Sequence, residues 1–280
     1  MKKIIVPTDF SPAATNAFAY AKALAVHTNR PLKIVHVTHP GSNVSVTMPD
    51  ISILRETQEA RMKQFLKRRT EENTDDILTK LELESEVIIG FPAEELVKMS
   101  KQDDCDFIIM GTTGEKGLLN NLLGTISSAV SQKAHCPVWL IPPNKTFTGI
   151  DNLLYAGNYE SADKNMLHEI IDISATFDSV VHLVHVHDPE ENKEDWKFEE
   201  LMLKQLFREA VPKNFPLDLH TVKRDSFWRG INEYAVEKNV DLIVMVTRHR
   251  TLWERLTHTS MTKEMILNAE IPLLVLHLED

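Results

Sequence analysis

Four of the nine glycines in this 280-residue sequence fall in one stretch, at Gly111, Gly114, Gly117 and Gly124. The stretch follows an apolar run, Asp106-Phe107-Ile108-Ile109-Met110, and precedes a helix-like segment from Ile126 to Ala134. Strand, glycine-rich loop and helix in that order are what a phosphate-binding loop requires. Lacking a Cβ, Gly111, Gly114 and Gly124 can turn at positive φ and bring backbone N–H groups up to phosphate oxygens. Gly124-Thr125 adds a hydroxyl and free amides where the next helix begins, and a helix N-terminus favours an anion. The competing reading is an ordinary glycine-rich turn.

Two further groups have types that suit a nucleoside. Pro7-Thr8-Asp9 closes the first apolar run, Lys3 to Val6. A carboxylate at that point can accept hydrogen bonds from ribose hydroxyls, or Asp9 can act only as a cap for the helix that follows. Val37, at the end of the second apolar run, can offer its backbone N–H and C=O to an adenine edge while its side chain packs on the ring.

The elements that must position these groups alternate along the chain. After Lys3 to Val6, Ser11-Pro12 reads as an N-cap and first helical residue of an alanine-rich helix to about His27. A strand over Leu32 to Val37, a loop over Thr38 to Pro49 and a helix from about Ile51 to Thr70 come next. Leu83 to Ile89 is a strand, Ala93 to Ser100 a helix, and Pro137 to Ile141 the fifth strand. Parallel neighbours need long crossovers, so the pattern predicts a doubly wound α/β domain with helices on both faces of a parallel sheet. Ligands in such folds sit beyond the carboxyl ends of the strands where the winding reverses. The first and fourth strands flank that point, so the Pro7 and Gly111 loops converge.

The pattern then repeats. Ile34-Val35-His36-Val37 is echoed by Leu183-Val184-His185-Val186, a shift of 149 (183 minus 34). Asp106-Phe107-Ile108-Ile109-Met110 is echoed by Asp241-Leu242-Ile243-Val244-Met245, a shift of 135 (241 minus 106), and Cys136-Pro137-Val138 by Ile271-Pro272-Leu273 at the same shift. The sequence thus predicts two tandem Rossmann-like domains, 1–143 and 148–280, joined by the stiff connector Pro142 to Thr146. The second copy loses the glycines: at the same shifts Gly111 becomes Val246, Gly114 His249, Gly124 Thr259 and Asp9 Asn158. A β-branched Val resists positive φ and blocks backbone approach, so the second domain is expected to be degenerate as a nucleotide site.

The formal net charge of −10 argues against a general electrostatic grip on nucleic acid or on an anionic membrane. No run of about 18 apolar residues is present, and Met1-Lys2-Lys3-Ile4-Ile5-Val6-Pro7 turns into a strand too soon for a secretory leader; a cytoplasmic protein is expected. Cys105 and Cys136 lack metal or CxxC spacing and read as buried reduced thiols. His182, His185, His187 and Asp188 suggest a metal cluster, but His185 echoes His36, and strand-end packing is the favoured reading. Trp196, Phe198, Leu201, Leu203, Leu206 and Phe207 form an apolar helical stripe expected in the core or a domain interface.

Gly111-x-x-Gly114, nine residues, then Gly124-Thr125, together with Val6-Pro7-Thr8-Asp9-Phe10-Ser11, resembles the universal stress protein (UspA-like) family, in a tandem two-domain form. The resemblance implies an adenine nucleotide α-hydrolase-like fold in each half and ATP, with or without magnesium, as the ligand of the first domain. It implies that Pro7, Thr8, Asp9 and Val37 contact the nucleoside, while Met110, Gly111, Gly114, Gly124, Thr125 and Ile126 line the phosphates. Such proteins act in stress regulation. No nucleophile or general base stands out beside the loop, so at most a slow ATPase is expected. The alternative is a nucleotide-free scaffold of the same fold. A ligase that adenylates its substrate is disfavoured, because Pro7-Thr8-Asp9-Phe10-Ser11 stands where such enzymes carry a Ser-Gly-Gly type loop. Exposed fifth-strand edges invite pairing, within the chain as a pseudo-dimer or between chains as a homodimer.

Overall fold

The computed structural model describes residues 2–39, 51–71, 81–112, 125–156, 164–187, 201, 205, 215–223, 227–248 and 271–278. The chain divides into two compact units, Met1–Phe147 and Thr148–Asp280. No helix among the described residues is long and apolar enough to cross a membrane.

The first unit runs β1 (Lys3–Pro7), α1 (Pro12–Thr28), β2 (Leu32–Thr38), α2 (Ile51–Glu71), β3 (Leu83–Ile89), α3 (Pro92–Met99), β4 (Cys105–Gly111), α4 (Thr125–Lys133) and β5 (Val138–Ile141). Its strands lie in the order β3-β2-β1-β4-β5, with every recorded pair parallel. β1 and β4 are neighbours, so the winding reverses between them. Right-handed crossovers put α1 and α2 on one face and α3 and α4 on the other. Phe65 of α2 accordingly meets Phe18 of α1, ring centroids 5.8 Å apart. α2 turns Leu54, Gln58, Met62 and Phe65 inward at helical spacing. The central strands are apolar on both faces, as burial on both sides demands: Ile4, Val6, Ile34, Val35, Ile108 and Ile109 have no exposed surface.

The second unit runs β6 (Asn152–Ala156), α5 (Lys164–Phe177), β7 (Val180–His187), β8 (Leu217–Lys223), α6 (Phe227–Glu237), β9 (Leu242–Arg248) and β10 (Leu273–Leu278). Its own order is β10-β9-β6-β7-β8, again with parallel pairs. The repeat is geometric as well as textual. β6 begins 149 residues after β1 (152 minus 3), and β10 begins 135 after β5 (273 minus 138). The shift is already down to 134 at β8 (217 minus 83), which puts the deletion between β7 and β8. Both halves are therefore α/β Rossmann-like domains in tandem.

Of the apolar stripe expected in the core, Leu201 is described and is 62% exposed; Trp196, Phe198, Leu203, Leu206 and Phe207 lie outside the described residues. The two cysteines are buried and reduced, with Sγ atoms 3.5 Å apart.

Candidate functional site

Pro7 sets where the pairing of β1 with β4 ends. Along β1 the even residues face β2, since Ile4 N–H donates to Pro31 O, and the odd residues face β4, since Lys3 N–H donates to Asp104 O. Pro7 is next in the odd set and has no N–H to donate. The β1–β4 register accordingly ends at Ile5↔Ile108. In the second unit Ala156 replaces Pro7, and pairing continues one residue further, to Tyr155↔Val244. The missing donor thus ends the β1–β4 ladder one residue early, at the carboxyl end of β1.

The loop that follows is held by its own side chains. Thr8, 5% exposed, accepts the Phe10 N–H at Oγ1 over 3.0 Å, and Asp9 Oδ1 accepts the Ser11 N–H over 3.0 Å. Ser11 caps α1, accepting the Ala14 N–H at 3.2 Å. Between these turns Phe10 sits at φ 65°. A bulky residue in the left-handed region is strained by about 1–3 kcal/mol and persists where its surroundings impose it. The surroundings here are the His36 ring at 4.4 Å, the Phe65 ring at 5.5 Å and the Arg61 guanidinium 4.5 Å over the Phe10 face. His36, buried, places Nδ1 2.7 Å from Thr8 O; the carbonyl only accepts, so Nδ1 carries the proton. Burial lowers the His36 pKa below its usual value and Arg61 lowers it further, while the Thr8 carbonyl opposes both.

β2 runs on past the end of β1. Thr8 N–H donates to Val35 O, and Gly90 N–H donates to Thr38 O. Odd residues of β2 therefore face β1, and alternation directs the Val37 backbone to the same side, one step beyond the point where the first strand turns away.

Gly111 differs from expectation. Its φ is not positive; Gly149 is the one positive-φ glycine among the described residues. Its need for a bare Cα is a matter of packing: an added Cβ would meet Ala13 O at 3.0 Å and Ala13 C at 3.1 Å, in the first turn of α1. Its carbonyl accepts the Ser127 hydroxyl at 2.8 Å, which ties the first turn of α4 to the end of β4. Thr125 and Ile126, the first two residues of α4, are exposed, and Met110 is buried. Gly114 and Gly124 lie outside the described residues, as do Asn158, His249 and Thr259 of the second unit; Val246 is buried.

Among the described residues, then, Pro7, Thr8, Asp9, Val37, Gly111 and Thr125 all stand at the carboxyl ends of β1, β2 and β4. Phe10, His36 and Ser127 are additions that the sequence reading had not assigned to the site. The spacing of Ser127 two residues after Thr125 carries no signal by itself, and the conformation of Phe10 depends on rings from β2 and α2. Of the histidine cluster, which the sequence left as the less favoured reading beside strand-end packing, the two described side chains are not brought together. His182 and His185 are three apart on β7 and face opposite sides, and Asp188 lies outside the described residues.

The chain matches the family described as the universal stress protein family twice, over residues 1–142 and 149–277. A universal stress protein of Methanocaldococcus jannaschii is 30% identical over 149 residues, which is 51% of this chain and 84% of that protein. A crystal structure of a universal stress protein from Archaeoglobus fulgidus is similar over 99% of this chain and 97% of its own, with a TM-score of 0.73 at 17% identity. A universal stress protein solved in complex with cAMP is 19% identical over 51% of this chain and 98% of its own, with a TM-score of 0.37.

Proposed function

The chain belongs to the universal stress protein family, and on that premise we propose that its first unit binds ATP, and that the bound nucleotide regulates an interaction surface in a stress response. The observation that carries this reading is the reversal of winding between the adjacent strands β1 and β4, whose ladder stops short of Pro7, with Val37 at the end of β2 and the first turn of α4 tied to the end of β4 by Ser127. Adenine would pair with the Val37 backbone, ribose would meet the Asp9 carboxylate, and phosphates would lie against Gly111, Gly114, Gly124 and the amides at Thr125 and Ile126. A helix start beside a glycine-rich loop supports an anion there. Met110, buried behind the loop, would back the phosphates through its main chain.

Magnesium would accompany the nucleotide through phosphate oxygens. Asp9 Oδ1 holds the Ser11 amide and His36 Nδ1–H holds the Thr8 carbonyl, so both residues are assigned to shaping the loop and neither to catalysis. The expected role is non-enzymatic, with hydrolysis slow at most. The second unit, with Val246 at the Gly111 position, is assigned no nucleotide.

Mass spectrometry of what leaves the denatured protein, followed by calorimetric titration of the emptied protein with Mg-ATP, tests this. Failure to bind at millimolar ATP would sink the reading, and so would unchanged affinity in Gly114→Val. One observation favours a nucleotide-free scaffold instead: Ala13 by itself accounts for the bare Cα of Gly111. Thermal unfolding separates the two, because a ligand that binds only the native state raises the midpoint with its concentration.

A further inference from the structure

The second unit gathers three ligand-bearing side chains that are far apart in sequence. Parallel pairing of β7 and β8 sets His182 opposite Asp218 and Val184 opposite His220. Asp218 and His220, two apart, share the face of β8 that His182 occupies on β7. The ligand atoms of these three residues all lie within 4.8 Å of one another, with His182 Nδ1 and Asp218 Oδ2 at 4.0 Å. We infer that His182, Asp218 and His220 form a site for a borderline divalent cation, zinc by ligand type, at the amino ends of β7 and β8. Two imidazoles and one carboxylate are a common zinc donor set, and the fourth position stays open to water.

The protonation pattern fits a ligand. His182 Nε2 is 3.2 Å from Asn152 Oδ1, an acceptor, so Nε2 carries the proton. Nδ1 is then bare and accepts the Tyr234 hydroxyl at 3.0 Å. A ligating histidine characteristically donates its other N–H to an outer oxygen, which fixes the ring and the tautomer; Asn152 does this for His182. With metal–ligand bonds of about 2.0–2.2 Å, tetrahedral donor atoms sit roughly 3.4 Å apart. From separations of 4.0 Å for His182 with Asp218 and at most 4.8 Å for the set, the side chains need to close by about 0.6 Å and by no more than about 1.4 Å respectively, with the metal taking the place of the Tyr234 proton. The Asp218 side chain is 61% exposed, which leaves an entry path from solvent.

The site is independent of the nucleotide reading, and its test uses the full chain without nucleotide. Chelator-treated protein is titrated with zinc by calorimetry and with cobalt by visible absorption. One equivalent per chain at micromolar affinity or tighter, with cobalt d–d bands, is expected. His220→Ala and Asp218→Asn should each remove that binding. Asn152→Ala should weaken it by about 10–100-fold, as loss of an outer partner does. Zinc should raise the unfolding midpoint of the native sequence and not of Asp218→Asn, whose exposed position makes folding of the variant secure. No binding at 100-fold above micromolar zinc, on the order of 0.1 mM by the mass-action relation, overturns the inference. Binding that survives intact in both His220→Ala and Asp218→Asn also overturns it, by placing the metal on other histidines.

Discussion

Gly111→Ala gives the sharpest test of how the first unit is built. An ideal Cβ at residue 111 meets Ala13 O at 3.0 Å, Ala13 C at 3.1 Å and Ala13 Cβ at 3.3 Å. Comfortable carbon contacts are about 3.5–4.0 Å, so α1 and β4 must separate by roughly half an ångström. The nearest two neighbours are backbone atoms of a buried helical turn and cannot rotate away. Overpacking of this kind costs about 1–3 kcal/mol, which for a domain near this size lowers the melting midpoint by about 2–12 °C. Because the closest contacts are backbone, Ala13→Gly should not rescue the variant; it removes the 3.3 Å neighbour alone and adds up to about 1 kcal/mol of helix cost. Circular-dichroism melts of the two single variants and the double variant provide the measurement. Stability of Gly111→Ala within 0.5 kcal/mol of the parent, on the order of an ordinary surface substitution, refutes the packing argument. Recovery in the double variant refutes its assignment to backbone.

Pro7→Ala restores an N–H facing β4, and hydrogen exchange should find that new amide protected as the β1–β4 ladder extends; rapid exchange at residue 7 would contradict the account of why the ladder ends at Ile5. Burial holds the folded pKa of His36 below its ordinary value of 6.5, so the unfolded chain takes up the proton first. Stability should be level above about pH 6.5 and fall as pH drops towards the folded value; His36→Asn, which keeps a donor for Thr8 O, should flatten that slope in urea titrations at pH 7.5 and 5.5, and an unchanged slope would count against it. A hydrogen bond with Cys105, together with burial, pushes the Cys136 thiol upward, so both thiols should react with a disulfide reagent only as fast as the protein unfolds; prompt reaction of the native protein at pH 8 would show them accessible.

Much of the architecture was legible because its signals are local. Apolar runs such as Ile4 to Val6 and Ile108 to Met110 mark buried strands, Ser11-Pro12 marks the start of α1, and recurrence of these runs at fixed shifts marks a tandem repeat. The convergence of the Pro7 and Gly111 loops also followed, since a parallel sheet that reverses its winding leaves one place for them to meet. The reason for Gly111 did not follow. Sequence suggested a positive φ shared by three glycines, whereas the close neighbour is Ala13, brought there by the packing of α1 on β4.

What the chain determined by itself is thus its alternation of elements, its duplication, and which copy keeps the glycines; these depend on residue type and on spacing of a few positions. Tertiary structure alone decided the left-handed Phe10 under Arg61, the tie from Ser127 to the Gly111 carbonyl, and the meeting of His182 with Asp218 and His220. Each of these joins residues from different elements, and the register between parallel strands linked by long crossovers is set by packing and hydrogen bonding that no local pattern encodes.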